Sequence, residues 1–431
     1  MLYGLGSMLG AGIYGLIGDT AKVMGNAVWA GFVTAMVAAL LTGLSYASLG
    51  SRYPKAGGAA YITGRATRSP VVSMAVGLAV MMSGLTSMAT GLQKIAEKVL
   101  DLGGPEITSK LLAIGIAAAI GLVIFRGIRE SVGLNTLCTI IEAAGLIFII
   151  IVGCRYWGNV NYLELPPARA GAAGDGITLA LLMQGAILTF FSFIGFEDIL
   201  NVSEEVKNPR RDVPFGLVGA MLVATLIYVA VAITAVSVLG WEKLADSKHP
   251  LDDVARTAAP WFGGIGRVYF YITIFAIGNT ALLNYLMGSR LLYGMGNLGL
   301  LPAALTRVHP RRRTPHVAIL ALLGIVSVLI LSGDVKSMAE ATVLLLLAVF
   351  ALMNFGLVVL QRWPGEARGE FEIPVLVPML GGLVCLALFG RRLMAAFDNE
   401  SLPTAPIIAL AILTVGLVLG WIRRKSAVIN R

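Results

Sequence analysis

GLGSMLGAGIYG, residues 4–15, carries five glycines (Gly4, Gly6, Gly10, Gly12 and Gly15) inside a stretch apolar enough to sit in a bilayer. Glycine in an exposed helix interior costs about 1 kcal/mol relative to alanine, so the cluster predicts a helix that comes undone partway along. Lipid cannot satisfy bare N–H and C=O groups. Unwound backbone at membrane depth survives only where protein buries it or it lines a cavity, which makes the break a candidate binding site.

The rest of the chain supports that setting. Of its 431 residues 57% are hydrophobic and 13% charged, with a mean hydropathy of +0.83; soluble domains run near 25% charged. An all-α polytopic membrane protein is expected, with twelve spans near residues 2–18, 26–50, 70–98, 109–125, 133–157, 177–201, 214–240, 261–294, 316–332, 338–361, 374–397 and 403–422. The net charge of +9 is spread over alternate loops, not gathered into a patch with interleaved aromatics, so nucleic acid is not an expected partner. Arg52, Lys55, Arg126, Arg129, Arg210, Arg211, the cluster Arg307 to Arg313, and Arg423, Arg424 and Lys425 all fall on one side of such a topology. The retention of Lys and Arg inside puts both termini in the cytoplasm, in the cell (inner) membrane. Cys138, Cys154 and Cys385 have no CxxC or Cys/His spacing and read as packing residues. His249, His309 and His316 sit in loops without ligand partners, so no metal is expected.

A second interrupted span lies at residues 190–203, FFSFIGFEDILNVS, where Gly195 separates an aromatic half from a half with Glu197 and Asp198. Spans 1 and 6 are thus both broken, five spans apart. Paired interruptions at corresponding positions point to inverted repeats, with substrate held between the breaks. The repeats would be residues 1–157 (spans 1 to 5) and 177–361 (spans 6 to 10), with 374–423 appended. The plainer alternative is that these glycines only let helices pack closely.

GSMLGAGIYG in span 1, GIRESVGLN before span 5, FSFIGFEDILNVSEEVKNPRRDVP across span 6 and its exit loop, and SRLLYGMGNLGLLP after span 8 resemble the amino acid–polyamine–organocation permeases. The match runs in order over essentially the whole chain. It implies a secondary transporter that moves an L-amino acid by alternating access, with an amino acid/polyamine exchanger or a non-transporting sensor as alternatives. No Walker motif GxxxxGK[ST] is present, no cofactor is expected, and no nucleophile–base pair suggests an enzyme. The substrate would be held by Met8, Gly10, Ala11, Gly12 and Ile13 of span 1 and by Phe191, Ser192, Ile194 and Gly195 of span 6, with Asn284 of span 8 beside them. N–H groups at the outer half of span 1 carry the positive end of a helix dipole and suit a carboxylate. Carbonyls near Met8, with those of Phe191 and Ile194 that the resemblance adds, suit an ammonium group.

Charge at the centre of a span costs about 2.5–3.5 kcal/mol on insertion scales, so Glu142, Glu197 and Asp198 stand out. The resemblance places Glu142 where several proton-coupled members have a lysine that touches the span 1 break. A carboxylate there could carry protons, help hold a cation, or pair with a buried donor. Glu197 matches an acid used in pH-dependent gating and is the second proton-coupling candidate; Asp198 reads as a structural acceptor. Thr86, Ser87, Asn279 and Thr280 read mainly as interhelical hydrogen-bond partners. Partners are therefore a small amino acid, protons and the bilayer, for a monomer or homodimer. Met1 to Gly10 covers only about 15 Å at 1.5 Å per residue, barely half a hydrocarbon core, so a start upstream of Met1 is expected.

Overall fold

The break expected in the first span lies at Leu9 and Gly10. Helix α1 (Leu2–Met8) makes its last ladder bond from the Leu9 N–H to the Leu5 carbonyl; Gly10 then turns the chain, with ψ −135°, into α2 (Ala11–Met24). The structure, a computed structural model, describes residues 1–55, 57–100, 108–166, 177–247, 249–332, 335–397 and 404–429. Among these, helices follow one another without a strand: α3 (Val28–Arg52), α4 (Gly58–Thr67), α5 (Pro70–Leu100), α6 (Ser109–Arg126), α7 (Ile128–Gly153), α8 (Leu179–Phe190), α9 (Pro209–Leu239), α10 (Trp241–Asp246), α11 (Pro250–Ala258), α12 (Ile265–Asn297), α13 (His316–Ser332), α14 (Val335–Arg362), α15 (Leu376–Phe397) and α16 (Thr404–Ile429). Nine helical runs among the described residues are long and apolar enough to cross a membrane, and His316–Leu331 and Pro406–Ile422 are shorter apolar helices. The chain is an all-α, multi-pass membrane protein. One of the nine, Leu16–Arg52, runs through the short 3-10 turn Gly25–Ala27, so helix length alone does not return the twelve expected spans.

Three helices, α4, α10 and α11, have no counterpart in the hydropathy pattern because they are short and carry charge. Helix α11 begins with Pro250 at its first turn and has Asp252 and Asp253 there, which suits the positive end of its dipole. The charged stretch 204–214 is less of a loop than its two prolines suggest. A 3-10 turn spans Ser203–Glu205, α9 starts at Pro209, and Pro214 lies inside that helix. Proline lacks the N–H that would bond the carbonyl four residues back, here Arg210. The buried Ser51 hydroxyl fills the vacancy, donating to the Arg210 carbonyl at 2.6 Å.

Two compact units divide the chain. The first comprises residues 1–40, 135–196 and 219–280. The stretch 157–164 that follows α7 is fastened by side chains: Trp29 donates to the Tyr162 carbonyl at 3.1 Å, Asn26 to Glu164 at 2.8 Å, and Trp157 to Thr234 at 3.0 Å. Gly31 and Gly185 bring α3 and α8 close, and Thr189 donates across to the Gly31 carbonyl at 3.0 Å.

The second unit comprises residues 41–134, 197–218 and 281–431. Helix α5 is its most deeply embedded span, and Thr86 meets Thr342 of α14 at 2.6 Å. Asn354 ties α14 to α3, donating to Thr42 at 3.0 Å and accepting from Ser45 at 2.6 Å, while Thr42 lies 3.3 Å from Cys385 of α15. The connector 363–375 is strapped down by charge. Arg52 pairs with Glu372 at 2.5 Å, and Glu366 accepts from Tyr53 at 2.6 Å and Arg65 at 3.1 Å. The Tyr53 hydroxyl and the Arg65 guanidinium hold the Glu366 carboxyl below the usual carboxylate range, and burial with that same bond pushes the Tyr53 phenol up to about 12.

Candidate functional site

The two broken segments cross inside the first unit. A Cβ built on Gly12 would stand 2.5 Å from the Cα of Ser192, and one on Gly195 would stand 2.7 Å from the Ser7 carbonyl oxygen. Position 12 thus lies on 192 and 7 on 195, an antiparallel crossing that only hydrogen side chains at 12 and 195 allow. Gly195 has φ +119°, a left-handed conformation that favours glycine. It separates the 3-10 turn Phe191–Phe193, which follows α8, from a second 3-10 turn, Phe196–Leu200.

One side chain bridges the crossing. The hydroxyl of Tyr228, from α9, donates to the carbonyl of Met8 and lies 2.9 Å from the carbonyl of Ser192. Its ring is fully buried, 5.5 Å from that of Phe32 and 5.4 Å from that of Phe193. Met8 closes α1 and its carbonyl has no ladder donor. The Phe191 carbonyl accepts from the Ile194 N–H at 3.2 Å, and the span 6 carbonyl that shares the Tyr228 hydroxyl with Met8 is that of Ser192. The Ser192 hydroxyl is buried without a hydrogen-bond partner.

Behind α1 runs a polar face of α7. Asn135, Thr139 and Glu142 follow at helical spacing, all nearly without exposure, and Asn279 of α12 donates to Thr139 at 3.4 Å. A Cβ on Gly6 would stand 2.0 Å from the Thr139 hydroxyl, and one on Gly10 would stand 1.7 Å from the Thr280 hydroxyl. Gly6 therefore seats α1 against α7 and α12, and Gly10 seats the break against α12. Glu142 is completely buried; Asn279 turns its amide toward it, and among the described residues no hydrogen bond of ordinary geometry reaches either carboxylate oxygen. The Tyr14 hydroxyl donates to the Glu142 backbone carbonyl at 3.4 Å.

The first unit holds Met8, Gly12, Ser192 and Gly195 at the crossing, Gly10 against Thr280 and Glu142 on the polar face of α7, with Ile13 buried in α2, Ala11 opening that helix, and Phe191 and Ile194 half-buried at the turn. Asn284 and Glu197 belong to the second unit. There Asn284 faces Gly84 of α5, and Glu197 and Asp198 are both buried on the 3-10 turn. Just beyond that turn Glu205 pairs with Arg290 of α12 at 2.9 Å; burial pushes its carboxyl up against the opposing pull of Arg290. Sequence reasoning missed Tyr228, Asn135, Thr139 and Tyr14. The i, i+4, i+7 spacing of Asn135, Thr139 and Glu142 was a readable signal, whereas Tyr228 stands alone in an apolar run.

The family model for amino acid permeases matches residues 2–418. The chain belongs to the amino acid permease family. Among the relatives of this permease, the branched-chain amino acid permease BcaP of Bacillus subtilis (strain 168) is 29% identical over 90% of the chain and 85% of its own length. The methylthioribose transporter of the same organism is 27% identical over 89% and 85%. Cationic amino acid transporter 9, chloroplastic, of Arabidopsis thaliana is 29% identical over 72% of the permease, which spans 56% of that longer relative.

Proposed function

We propose that the permease is a secondary carrier that moves an L-amino acid across the cell membrane by alternating access, coupled to protons. The crossing of the two broken segments carries this reading. It sets carbonyls of Met8 and Ser192 beside the N-terminus of α2, so that an ammonium group and a carboxylate each find main-chain partners of opposite polarity. The names of BcaP and of the Arabidopsis transporter, which are amino acid transporters, support the same substrate class. Residues 1–157 and 177–361 act as the inverted repeats, with 374–423 appended and both termini cytoplasmic.

Glu142 is the proton carrier in this scheme. It is buried, lies on the α7 face that abuts α1, and among the described residues has an amide and no cationic side chain turned toward it. An unpaired charge at such a place is expensive, and a bound proton removes it. Glu197 serves as a second titrating site.

Uptake into liposomes tests the reading. With the protein reconstituted, labelled L-amino acids should enter and an inward proton gradient should concentrate them, while analogues lacking the α-amine should be excluded. Glu142→Gln should abolish gradient-driven accumulation yet keep exchange of internal for external amino acid. Accumulation that survives Glu142→Gln and Glu197→Gln together would rule out both proton assignments.

A further inference from the structure

We propose that Tyr228 stands in for the substrate's ammonium group when the carrier is empty, so that the empty carrier can reorient and net transport can proceed; this builds on the amino acid reading above. Three observations carry it. The phenol hydroxyl donates to the Met8 carbonyl and reaches the Ser192 carbonyl at 2.9 Å, one group from each broken segment. The ring is fully buried between Phe32 and Phe193, so it is a fixed fixture of the crossing. The Ser192 hydroxyl next to it is buried and unpartnered.

A hydroxyl has one hydrogen, so it can donate to only one of the two carbonyls at a time. The place is therefore supplied when empty but short of hydrogens. An ammonium group, with three N–H donors, can serve both carbonyls and give its third hydrogen to the phenol or Ser192 oxygen. When substrate leaves, the phenol hydrogen is the donor still at hand. Without it, the carbonyls freed by the breaks would be left bare in a water-poor interior, and a buried unmade hydrogen bond penalises any state that contains it. That state is the empty carrier, whose return limits net flux but does not take part in exchange.

The test uses the full chain, wild type and Tyr228→Phe, in liposomes loaded with the amino acid it transports. Efflux into substrate-free buffer requires the empty carrier to return; exchange against external amino acid does not. Tyr228→Phe should lower the ratio of net efflux to exchange by about fivefold or more, the size of one lost hydrogen bond at a buried carbonyl. Phe193→Leu, which loosens the ring's packing and leaves the hydroxyl, should change both fluxes together and keep the wild-type ratio. Equal loss of both fluxes in Tyr228→Phe would show that the hydroxyl holds the crossing in every state, and would overturn the proposal. The wild type gives a second check that needs no variant: net efflux into substrate-free buffer is expected, and strict one-for-one exchange would overturn the proposal. A wild type that moves no amine-bearing solute in either assay would instead sink the amino acid reading, and this inference with it.

Discussion

Gly12 and Gly115 are both helical glycines, yet their surroundings separate them. A methyl group at 12 would meet the Ser192 Cα at 2.5 Å, whereas nothing lies within 4 Å of one at 115 on α6. Gly12→Ala must force the two breaks apart. Overpacking of this kind costs typically 1–3 kcal/mol, and here the strain falls on the site, so uptake should drop at least tenfold with a lowered melting temperature. Gly115→Ala should leave uptake unchanged and raise stability by a few tenths of a kcal/mol or more through the helix propensity of alanine. Thermal unfolding by fluorescence-detected chromatography, run beside uptake, distinguishes them. Glu366 gives a pH-dependent counterpart. Its folded pKa is lowered by Tyr53 and Arg65, so its stabilising contribution is present above the ordinary carboxylate value of about 4.3 and is lost as pH falls through the folded value. Wild type should therefore lose melting temperature more steeply than Glu366→Gln as the pH is lowered from 5 toward 3, about the carboxylate range. Parallel slopes would show that the strap at 363–375 owes nothing to that charge.

At the scale of elements, most helices were legible because apolar length is a coarse signal that survives local detail. The expected span 316–332 coincides with α13, and 109–125 and 338–361 differ from α6 and α14 by one to three residues at an end. The start of α9 was not legible at 214, since Pro214 reads as a stop in isolation. The structure shows why it is tolerated: Ser51, distant in sequence, donates to the carbonyl that Pro214 leaves without a ladder hydrogen. This predicts coupling. Ser51→Ala should cost about 1–3 kcal/mol by leaving the Arg210 carbonyl short of a donor. In a Pro214→Ala background, where the restored N–H can serve that carbonyl, the same change should cost clearly less. Additive effects in a double-mutant cycle of melting curves would contradict the assignment. The polar face of α7 was half legible. Glu142 stands out in any apolar span, but Asn135 and Thr139 pass as ordinary interhelical partners until α1 is seen to press Gly6 on them.

For the whole molecule, the family and its broken-span pattern were readable from four motifs in order, and the match over residues 2–418 agrees with them. What could not be read is which groups occupy the crossing, because Tyr228 lies outside the four motifs and acts through main-chain carbonyls that any residue possesses. A structure determined at a saturating concentration of the transported amino acid tests the central claim most directly, since that claim is that both ends of the substrate are held by main chain exposed at the two breaks. The account predicts density with the ammonium group on the Met8 and Ser192 carbonyls and the carboxylate at the N-terminus of α2. Substrate density held elsewhere, with α1, α2 and the 191–200 turns undisturbed and the Tyr228 hydroxyl still on both carbonyls, would contradict it.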